Sequence, residues 1–356
     1  MNGNRKKVLF FVQESIGGAE RITILIAKML DLAKFDVVFV VVPYSEVSNS
    51  VGDFIPDRYQ CIHIKKGPPI KKMWRMFATI RQQKPDIVFS SVFHLSNKIL
   101  PFRLFFPRTR FIIRCENYLF TFKKHQRLQM LILYRLASSI IAQTKEMGEE
   151  LVQNLRICPK KISVLENPID TDTILSKLKN GVSPFLNNGN KHIVASGRFC
   201  FQKGFDLLVK AFAELKKINE KIDLYVIGAN DGEYVDDFNK VMDLAKQLGV
   251  AQDFHCVGYQ SNPYVYVKNA DCFALSSRWE GLPNVLIESL YLGTPVAAFK
   301  CIPIIERIVA DGKNGFLAPK EDWEALAVAM DNCLKLNNVY FDYCGASNEE
   351  FVQLFL

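Results

Sequence analysis

Strand-like and helix-like runs alternate along almost the whole chain. The buried-strand runs KKVLFFVQ (6–13) and VVFVVVP (37–43) flank an apolar-periodic helical pattern, and the alternation returns with HIVASGR (192–198) and IDLYVIGAN (222–230). Strands separated by helices imply parallel sheets whose crossover connections are helices. The sequence therefore predicts an α/β protein built from doubly wound parallel sheets.

One loop-rich segment interrupts this alternation. It is rich in Gly, Asn, Pro and Ser, and a chain of 356 residues suggests two domains. Ligands of such sheets bind at the carboxyl ends of the strands, so two domains that face each other would create a cleft. The predicted segments are a first domain at 1–170, a linker at 171–190, a second domain at 191–336 and a tail at 337–356 that could return to the first domain.

The nine cysteines and the apolar runs bear on the compartment. No pair of cysteines has C-x-x-C spacing, and their number is odd. This pattern is typical of reduced thiols and not of a disulfide framework or a zinc site. No window approaches the roughly 18 uninterrupted apolar residues of a membrane span, and the amino-terminal run is too short for a signal peptide. We therefore expect a cytoplasmic protein.

The positive charge lies in the first half. Residues 1–170 carry 27 Lys and Arg against 14 Asp and Glu, whereas residues 171–356 carry 18 against 23. The basic half is also aromatic, as in KKMWRMF (71–77) and FRLFFPRTRF (102–111). Such a surface could bind nucleic acid, rest on an anionic membrane or form a solvated basic face. No nucleic-acid-binding module is visible, and each basic residue near an anionic leaflet contributes roughly 1 kcal/mol. Contact with the membrane surface is therefore favoured.

Two carboxylates interrupt the apolar segment 276-SSRWEGLPNVLIESLYLGTPVAAF-299. A helix is predicted over about 283–292, with Gly293 just beyond its end. Glu280 then precedes the helix and Glu288 lies in its second turn. The N–H groups of 283–286 and the helix dipole predict an anion site between the two acids, as a nucleotide-diphosphate sugar requires. The alternative is structural: Glu280 caps the helix and Glu288 pairs with a cation in the core.

The run SRWEGLPNVLIESLYLGTPV resembles the signature of glycosyltransferase family 4, whose members have the GT-B fold. That fold has two Rossmann-like, doubly wound domains that face each other across a cleft. The family pattern contains two glutamates in an E-x(7)-E spacing. Its fixed positions are matched by Ser277, Arg278, Glu280, Gly281, Pro283, Glu288, Gly293, Pro295 and Val296.

Other segments carry the same resemblance. The run 194-VASGRFCFQKGFDLLVKAF-212 is similar to the family's G-R-x(4)-K-G motif, which implies that Arg198 and Lys203 hold the donor diphosphate. A guanidinium and an ammonium both pair well with phosphate oxygens. Two ordinary surface cations are the alternative. At the amino terminus, Gly17 and Gly18 resemble the family's glycine-rich loop beside the acceptor and the transferred sugar, where they would permit close approach and positive φ. A tight strand-to-helix turn would need the same glycines.

Two segments depart from the family pattern. Many members have a Gly-Gly-Pro-x-Glu loop where this chain has 300-KCIPIIERIVADGKNG-315, with Glu306 one residue out of register. Many also have a histidine after the strand that corresponds to FIIRCEN, where this chain has Arg114 and Glu116. Its nearest histidine is His94, which either touches the transferred sugar or is structural.

No metal is expected. Asp170-Thr171-Asp172 spells the D-x-D signature of a different glycosyltransferase fold, but it lies at a domain junction and not in a nucleotide-binding loop. Arg198, Lys203 and the helix amides can neutralise phosphate without a metal ion. We therefore predict a metal-independent enzyme that needs no cofactor besides its nucleotide-sugar substrate.

The resemblance implies a retaining hexosyltransferase that moves a hexose or N-acetylhexosamine from a nucleotide sugar, here a UDP-sugar. The acceptor would be a glycan or polyprenyl-linked glycan at the inner face of the membrane, in cell-surface polysaccharide biosynthesis. Alternatives are a catalytically weak scaffold for another transferase, and a GT-B epimerase or phosphorylase. The expected catalytic residues are Glu280, Arg198 and Lys203; the donor site adds Glu288, Gly197, Gly281, Leu282, Pro283, Asn284, Val285 and Gly228; the acceptor side has Gly17, Gly18, His94 and Glu116.

Overall fold

The computed structural model describes residues 5–43, 51–179, 181–185, 189–229, 232–336 and 339–356. The chain divides into two compact units. Unit 1 comprises Met1–Pro168 together with Cys344–Leu356, and unit 2 comprises Ile169–Tyr343.

Unit 1 is a parallel sheet with helical crossovers. Its strands are β1 (Lys6–Gln13), β2 (Phe35–Val42), β3 (Gln60–His63), β4 (Ile87–Ser90), β5 (Arg110–Cys115), β6 (Ser139–Ala142) and β7 (Ile162–Val164). Its helices within Met1–Pro168 are α1 (Gly18–Met29), α2 (Pro69–Gln83), α3 (Phe93–Ile99), α4 (Lys124–Leu133) and α5 (Lys145–Leu155). The strand order is β3-β2-β1-β4-β5-β6-β7, so the direction of strand addition reverses between β1 and β4.

Unit 2 repeats this architecture. Its strands are β8 (Lys191–Ser196), β9 (Ile222–Ile227), β10 (Phe254–Gly258), β11 (Cys272–Leu275), β12 (Val296–Phe299) and β13 (Gly315–Ala318). Its helices are α6 (Thr171–Leu178), α7 (Phe205–Ile218), α8 (Val235–Gln247), α9 (Tyr264–Asn269), α10 (Asn284–Tyr291), α11 (Pro303–Ile308) and α12 (Trp323–Cys333). The order β10-β9-β8-β11-β12-β13 reverses between β8 and β11.

The central strands are continuous apolar runs because both faces of a doubly wound sheet are covered. Val8, Phe10 and Phe39 are fully buried beneath the apolar stripe of α1, where Ile22 and Ile26 lie one turn apart. The buried residues of the helix recur every 3.6 positions and those on one face of a strand every two positions, so both sets meet in the same core. The predicted doubly wound α/β fold is thus confirmed.

The carboxyl-terminal segment belongs to unit 1, through helix α13 (Asn348–Phe355). Ser347 and Glu350 form a capping box at its start. Phe355 is fully buried, and its ring centroid lies 5.8 Å from those of both Phe10 and Phe89. These contacts tie the end of the chain to the central strands of the first sheet.

The segment predicted as a linker, 171–190, begins with a helix. The carboxylate of Asp170 accepts a hydrogen bond of 3.2 Å from the Thr173 N–H and caps α6. The linker prediction is wrong for 171–178, because it weighed the Gly and Asn further along and missed this Asp cap. The D-x-D match is therefore a helix start. The strand-like run IDLYVIGAN (222–230) ends at Asn230, which lies outside the described residues, as does Asp231.

Within the described ranges, the structure contains no helix that combines the length and the apolar character needed to cross a bilayer.

Truncation of Phe355 tests how far unit 1 depends on its last helix. Phe355→Ala should lower the free energy of unfolding by about 3–5 kcal/mol, since it opens a cavity between Phe10 and Phe89. Leu356→Ala, whose side chain is half exposed, is the control and should change stability by less than about 0.5 kcal/mol. Calorimetric unfolding of the full chain measures both changes. Equal effects of the two variants would contradict this role for α13.

Candidate functional site

In each sheet the candidate side chains follow strands next to the reversal of strand order. In unit 2 the loops after β8 and β11 carry Arg198 and Glu280, and these two strands pair directly. In unit 1 the loops after β1 and β4 lead to Gly17 and His94. Ligands of open parallel sheets bind at such switch points, where neighbouring loops diverge and leave a crevice.

Lys203 and Glu280 meet at the switch point of unit 2. The Lys203 Nζ lies 2.7 Å from Glu280 Oε1, and the two side chains are only 16% and 9% exposed. The hydroxyl of Ser277 donates to the same oxygen at 2.6 Å. Oε1 thus has two donors, while no donor to Oε2 occurs among the described residues. The Glu280 carboxylate is thus held in place through Oε1, and Oε2 remains as a hydrogen-bond acceptor.

Two glycines let the backbone approach this ion pair closely. A Cβ on Gly197 would lie 3.0 Å from the aliphatic carbons of Lys203, and a Cβ on Gly228 would lie 1.7 Å from the Gly197 carbonyl oxygen. The loops after β8 and β9 are therefore in contact, and only glycine fits at position 228. This packing holds the Lys203 stem against the β8 loop.

Arg198 is exposed and lies beside the aromatic ring of Tyr234. Its Nη1 donates to the Tyr234 hydroxyl at 3.4 Å, and its guanidinium carbon lies 5.9 Å from the ring centroid. Contacts of this length hold an exposed cation only weakly. Arg198 thus places an exposed guanidinium at the same strand end as Lys203.

Helix α10 begins at Asn284 and ends in a Schellman motif. The Thr294 N–H donates to the Ser289 carbonyl, the Gly293 N–H donates to the Leu290 carbonyl, and Gly293 has φ +82°. Gly293 is thus the left-handed residue beyond the helix, as its position in the sequence indicated.

The predicted set of amides at 283–286 is wrong in part. Pro283 has no N–H, and the Leu286 N–H donates to the Pro283 carbonyl at 3.1 Å. At most two amides, those of Asn284 and Val285, are therefore available to an anion. The helix dipole still points its positive end at this position.

The remaining donor-site candidates surround the helix start. Gly281, Leu282 and Pro283 are buried in the turn between β11 and α10, and Asn284 and Val285 are half-buried in the first turn. Glu288 is half-buried one turn further along. The structure thus places these residues on one strand–turn–helix segment.

Arg278, to which the sequence analysis gave no role, organises the β11 loop. Its guanidinium forms two hydrogen bonds with the Asp206 carboxylate, at 2.9 and 2.7 Å, and lies 3.9 Å from the centroid of the Phe201 ring. Burial alone would raise the pKa of Asp206, but the hydrogen bonds and charge of Arg278 lower it overall. Arg278 is thus a structural residue that ties the β11 loop to α7.

Cys301 was also missed. It is buried at the end of β12, and burial raises the pKa of its thiol to about 12, with a smaller contribution from the charge of Glu280. Cys301 and Ile302 stand where many family members have two glycines, and α11 starts directly after them. Glu306 and Arg307 are exposed, and Glu306 pairs with Lys300 at 3.1 Å. Where the family pattern has two glycines, this chain therefore has two buried side chains, and the short helix α11 follows them.

Gly17 and Gly18 do not have the positive φ that was expected from the sequence. Gly17 has φ −138° and precedes α1, and Gly18 is its first helical residue. The close approach is present, because a Cβ on Gly17 would lie 2.9 Å from the carboxylate oxygen of Glu20. A side chain at position 17 would thus displace the end of the Glu20 side chain, and the backbone conformation itself does not demand a glycine.

His94 and Glu116 lie near each other at the carboxyl edge of the first sheet. Glu116 Oε1 accepts from the Phe93 N–H at 3.4 Å, and the Phe93 and His94 rings are 5.2 Å apart. His94 is exposed; partial burial, and next the charge of Lys98, lower its pKa. The structure brings these two predicted residues together.

Beside them lies the buried Arg114. Its Nη2 donates to Asn167 Oδ1, whereas its Nε and Nη1 have no hydrogen-bond partner among the described residues. Burial lowers its pKa to about 10, and the charges of Glu116, Cys115 and Glu20 act in the opposite direction. The buried Arg114 guanidinium is thus close enough to Glu116 and Glu20 for their charges to act on it.

In the part of the chain that the structure describes, no group of three or more His, Cys, Asp or Glu side chains is arranged to hold a metal ion.

Two family models match adjacent parts of the chain. The model for Glycosyltransferase Family 4 matches residues 16–173, and the model for Glycosyl transferases group 1 matches residues 179–344. The fold is that of a GT-B glycosyltransferase. The chain belongs to the family-4 glycosyltransferases, as the E-x(7)-E resemblance indicated.

Relatives agree over most of the chain. It is 28% identical to the N-acetylgalactosamine-N,N'-diacetylbacillosaminyl-diphospho-undecaprenol 4-alpha-N-acetylgalactosaminyltransferase of Campylobacter jejuni, over 94% of this chain and 93% of that protein. It is 25% identical to the amylovoran biosynthesis glycosyltransferase AmsD of Erwinia amylovora, over 89% and 86%. The crystal structure of Anabaena HepE in complex with UDP-glucose has a TM-score of 0.76 at 19% identity, over 92% and 90% of the two chains.

The Lys203–Glu280 pair should be strongly coupled. Lys203→Met and Glu280→Gln should each cost about 3 kcal/mol of unfolding free energy, because each leaves a nearly buried partner uncompensated. The double variant should cost less than the sum of the two. Denaturant unfolding of the four proteins measures this coupling.

The matched control is the Lys217–Glu214 pair, which has the same 2.7 Å separation on an exposed face of α7. Lys217→Met and Glu214→Gln should show a coupling below about 1 kcal/mol. Equal coupling in the two cycles would contradict a buried, fixed carboxylate at Glu280.

Proposed function

We propose that this protein is a retaining, metal-independent glycosyltransferase that moves a hexose or N-acetylhexosamine from a UDP-sugar. The contact between Lys203 and Glu280 at the switch point of unit 2 carries this proposal. A lysine held beside a carboxylate offers a cation for the diphosphate and an acceptor for sugar hydroxyls within one hydrogen bond of each other.

The proposed chemistry breaks the bond between the anomeric carbon and the diphosphate oxygen. Lys203, Arg198 and the amides of Asn284 and Val285 stabilise the negative charge that develops on the leaving diphosphate, an electrostatic role that can dominate catalysis. Glu280, held through Oε1, accepts from a hydroxyl of the transferred sugar through Oε2. Glu288 accepts from the ribose hydroxyls. No protein nucleophile is needed: the acceptor hydroxyl oxygen bonds to the anomeric carbon on the face from which the diphosphate departs, so the configuration is retained, and the hydroxyl proton passes to the departing diphosphate oxygen.

The choice of UDP and of the acceptor draws on related proteins. HepE was crystallised with UDP-glucose, and the name of the Campylobacter relative describes a diphospho-undecaprenol-linked acceptor. By analogy, this chain would act on a glycan or polyprenyl-linked glycan in cell-surface polysaccharide biosynthesis. It would work in the cytoplasm, at the inner face of the membrane.

A scaffold role for another transferase is the second candidate, and the 300–315 loop favours it. Cys301 and Ile302 replace glycines, and the exposed Glu306 pairs with Lys300. Thermal-shift measurements against UDP-, GDP- and ADP-sugars separate the two functions, because a ligand that binds the folded state stabilises it by RT ln(1+[L]/Kd). A shift with UDP-sugars and sugar transfer in the presence of EDTA would support the enzyme. No shift with any nucleotide sugar and no UDP release would favour the scaffold.

Arg198 offers a test that does not disturb folding. Arg198→Ala should lower kcat/KM for sugar transfer by about 10²–10³-fold, because a charge-stabilising donor is removed from the leaving diphosphate. Its melting temperature should stay close to that of the wild type, since the side chain is exposed. Steady-state kinetics with a UDP-sugar donor measure the loss.

Lys217→Ala removes an exposed cation from α7 in the same unit and should leave kcat/KM unchanged. Arg198→Lys, which keeps the charge and loses the planar fork, should fall between the wild type and Arg198→Ala. If Arg198→Ala transfers sugar as fast as Lys217→Ala, the assigned role of Arg198 is wrong.

A further inference from the structure

Helix α2 of unit 1 carries two apolar stripes. Met76 and Ile80 are fully buried and attach the helix to its unit. A second set, Ile70, Met73, Trp74 and Phe77, repeats at the i, i+3, i+4, i+7 spacing of one helix face. Ile70 is 82% exposed and Trp74 is 66% exposed. Folding of the chain accounts for the first stripe and for Phe77, whose ring lies 5.5 Å from that of the buried Phe102, but not for the exposed members of the second stripe.

The turn after α3 extends this second stripe into a continuous aromatic surface. Trp74 stacks on Phe77 with ring centroids 5.7 Å apart, and the Phe77 ring meets that of Phe105 edge-on at 5.6 Å. Leu104 and Phe105 are 70% and 68% exposed. Arg103 fixes the turn by donating to the Phe106 carbonyl at 3.2 Å. Contiguous exposed apolar surface of this kind marks a binding site more often than chance exposure.

Positive charge surrounds this aromatic surface. The stretch 61–110 contains eleven Lys and Arg residues and one acidic residue, Asp86. Lys71 and Arg108 are exposed beside the aromatic residues. Lys98, four residues beyond His94 on α3, adds a further basic residue towards the sheet edge, and partial burial and next the charge of Lys72 lower its pKa. A partner that fits this surface must therefore have an apolar region for the aromatic residues and negative charge around it for the Lys and Arg residues.

We propose that the α2 stripe and the 104–105 turn insert into an anionic lipid bilayer. Trp74 and Phe105 would lie at the level of the headgroups and upper acyl chains, as amphipathic aromatic residues do, and Lys71 and Arg108 would contact lipid phosphates. A second copy of this chain does not fit the same face, because it would bring like charges together. This proposal rests on the proposed function only in that a lipid-linked acceptor gives the docking a purpose.

Vesicle flotation without any substrate tests the surface directly. The wild type should bind vesicles of phosphatidylcholine mixed with phosphatidylglycerol more strongly than vesicles of phosphatidylcholine alone, and raised salt should weaken the difference. Trp74→Ser combined with Phe105→Ser should weaken binding by at least about tenfold, since most of the inserted apolar area is lost. Lys71→Gln combined with Arg108→Gln should remove the preference for phosphatidylglycerol and leave a residual affinity.

The matched control pair is Leu104→Ser and Ile218→Ser. Both residues are exposed, at 70% and 67%, but Ile218 ends α7 in unit 2. Leu104→Ser should weaken vesicle binding and Ile218→Ser should not. Equal flotation of these two variants would overturn the proposal. So would light scattering in which the wild type self-associates and the Trp74/Phe105 variant is monomeric, because the surface would then bind a second copy of the chain.

UDP release with a water-soluble acceptor separates this test from that of the proposed function. The surface variants should keep this activity, since none of their residues belongs to the donor site. A wild type that floats with anionic vesicles but transfers no sugar would refute the enzyme and leave the membrane surface standing. A wild type that transfers sugar but does not bind vesicles would refute the membrane surface and support the enzyme.

Discussion

All carboxyl ends of a parallel sheet lie along one edge, and the loops after two neighbouring strands part where the strand order reverses. In unit 2 this reversal separates the loop after β8 from the loop after β11, and Lys203 and Glu280 bridge the gap at 2.7 Å. In unit 1 the equivalent reversal separates the glycine-rich start of α1 from α3. Lys203 and Glu280, which are 77 positions apart in the sequence, meet for this topological reason.

The electrostatics at this edge of unit 2 are compensated. Lys203 has Glu280, Arg278 has Asp206, and the glycines at 197 and 228 hold the β8 and β9 loops in contact. A diphosphate that entered here would compete with Glu280 for Lys203 and would replace one short ion pair with another. The ammonium has already lost most of its water in forming the pair, so the cost of such an exchange lies in leaving the nearly buried Glu280 carboxylate without its cation.

The sequence predicted the fold and the helix that ends before Gly293 well, because both depend on local periodicity and turn chemistry. The alternation of strands and helices is explicit in runs such as KKVLFFVQ, and Gly293 ends α10 with the expected positive φ. The helix at Thr171–Leu178 was missed because a single Asp cap was outweighed by the Gly and Asn that follow. The amide donors were overestimated because Pro283, which favours the helix start, lacks the N–H assigned to it.

Tertiary neighbours account for what the sequence could not show. Nothing local distinguishes Ile70 and Trp74, which face solvent, from Met76 and Ile80, which are buried, since all four suit an amphipathic helix. The contact between Gly17 and Glu20 and the burial of Arg114 likewise depend on which strands lie side by side. Which stripe of α2 is buried is decided by the rest of unit 1, and with it which stripe remains for a partner.

The return of α13 to the first sheet makes unit 1 discontinuous in sequence, whereas unit 2 is continuous from Ile169 to Tyr343. During synthesis the residues of unit 2 all emerge before Phe351 and Phe355, which complete the core around Phe10 and Phe89. The usual order, in which the amino-terminal domain folds first, is therefore reversed at the last step. Part of the apolar surface around Phe10 and Phe89 therefore stays uncovered until the second unit has been made.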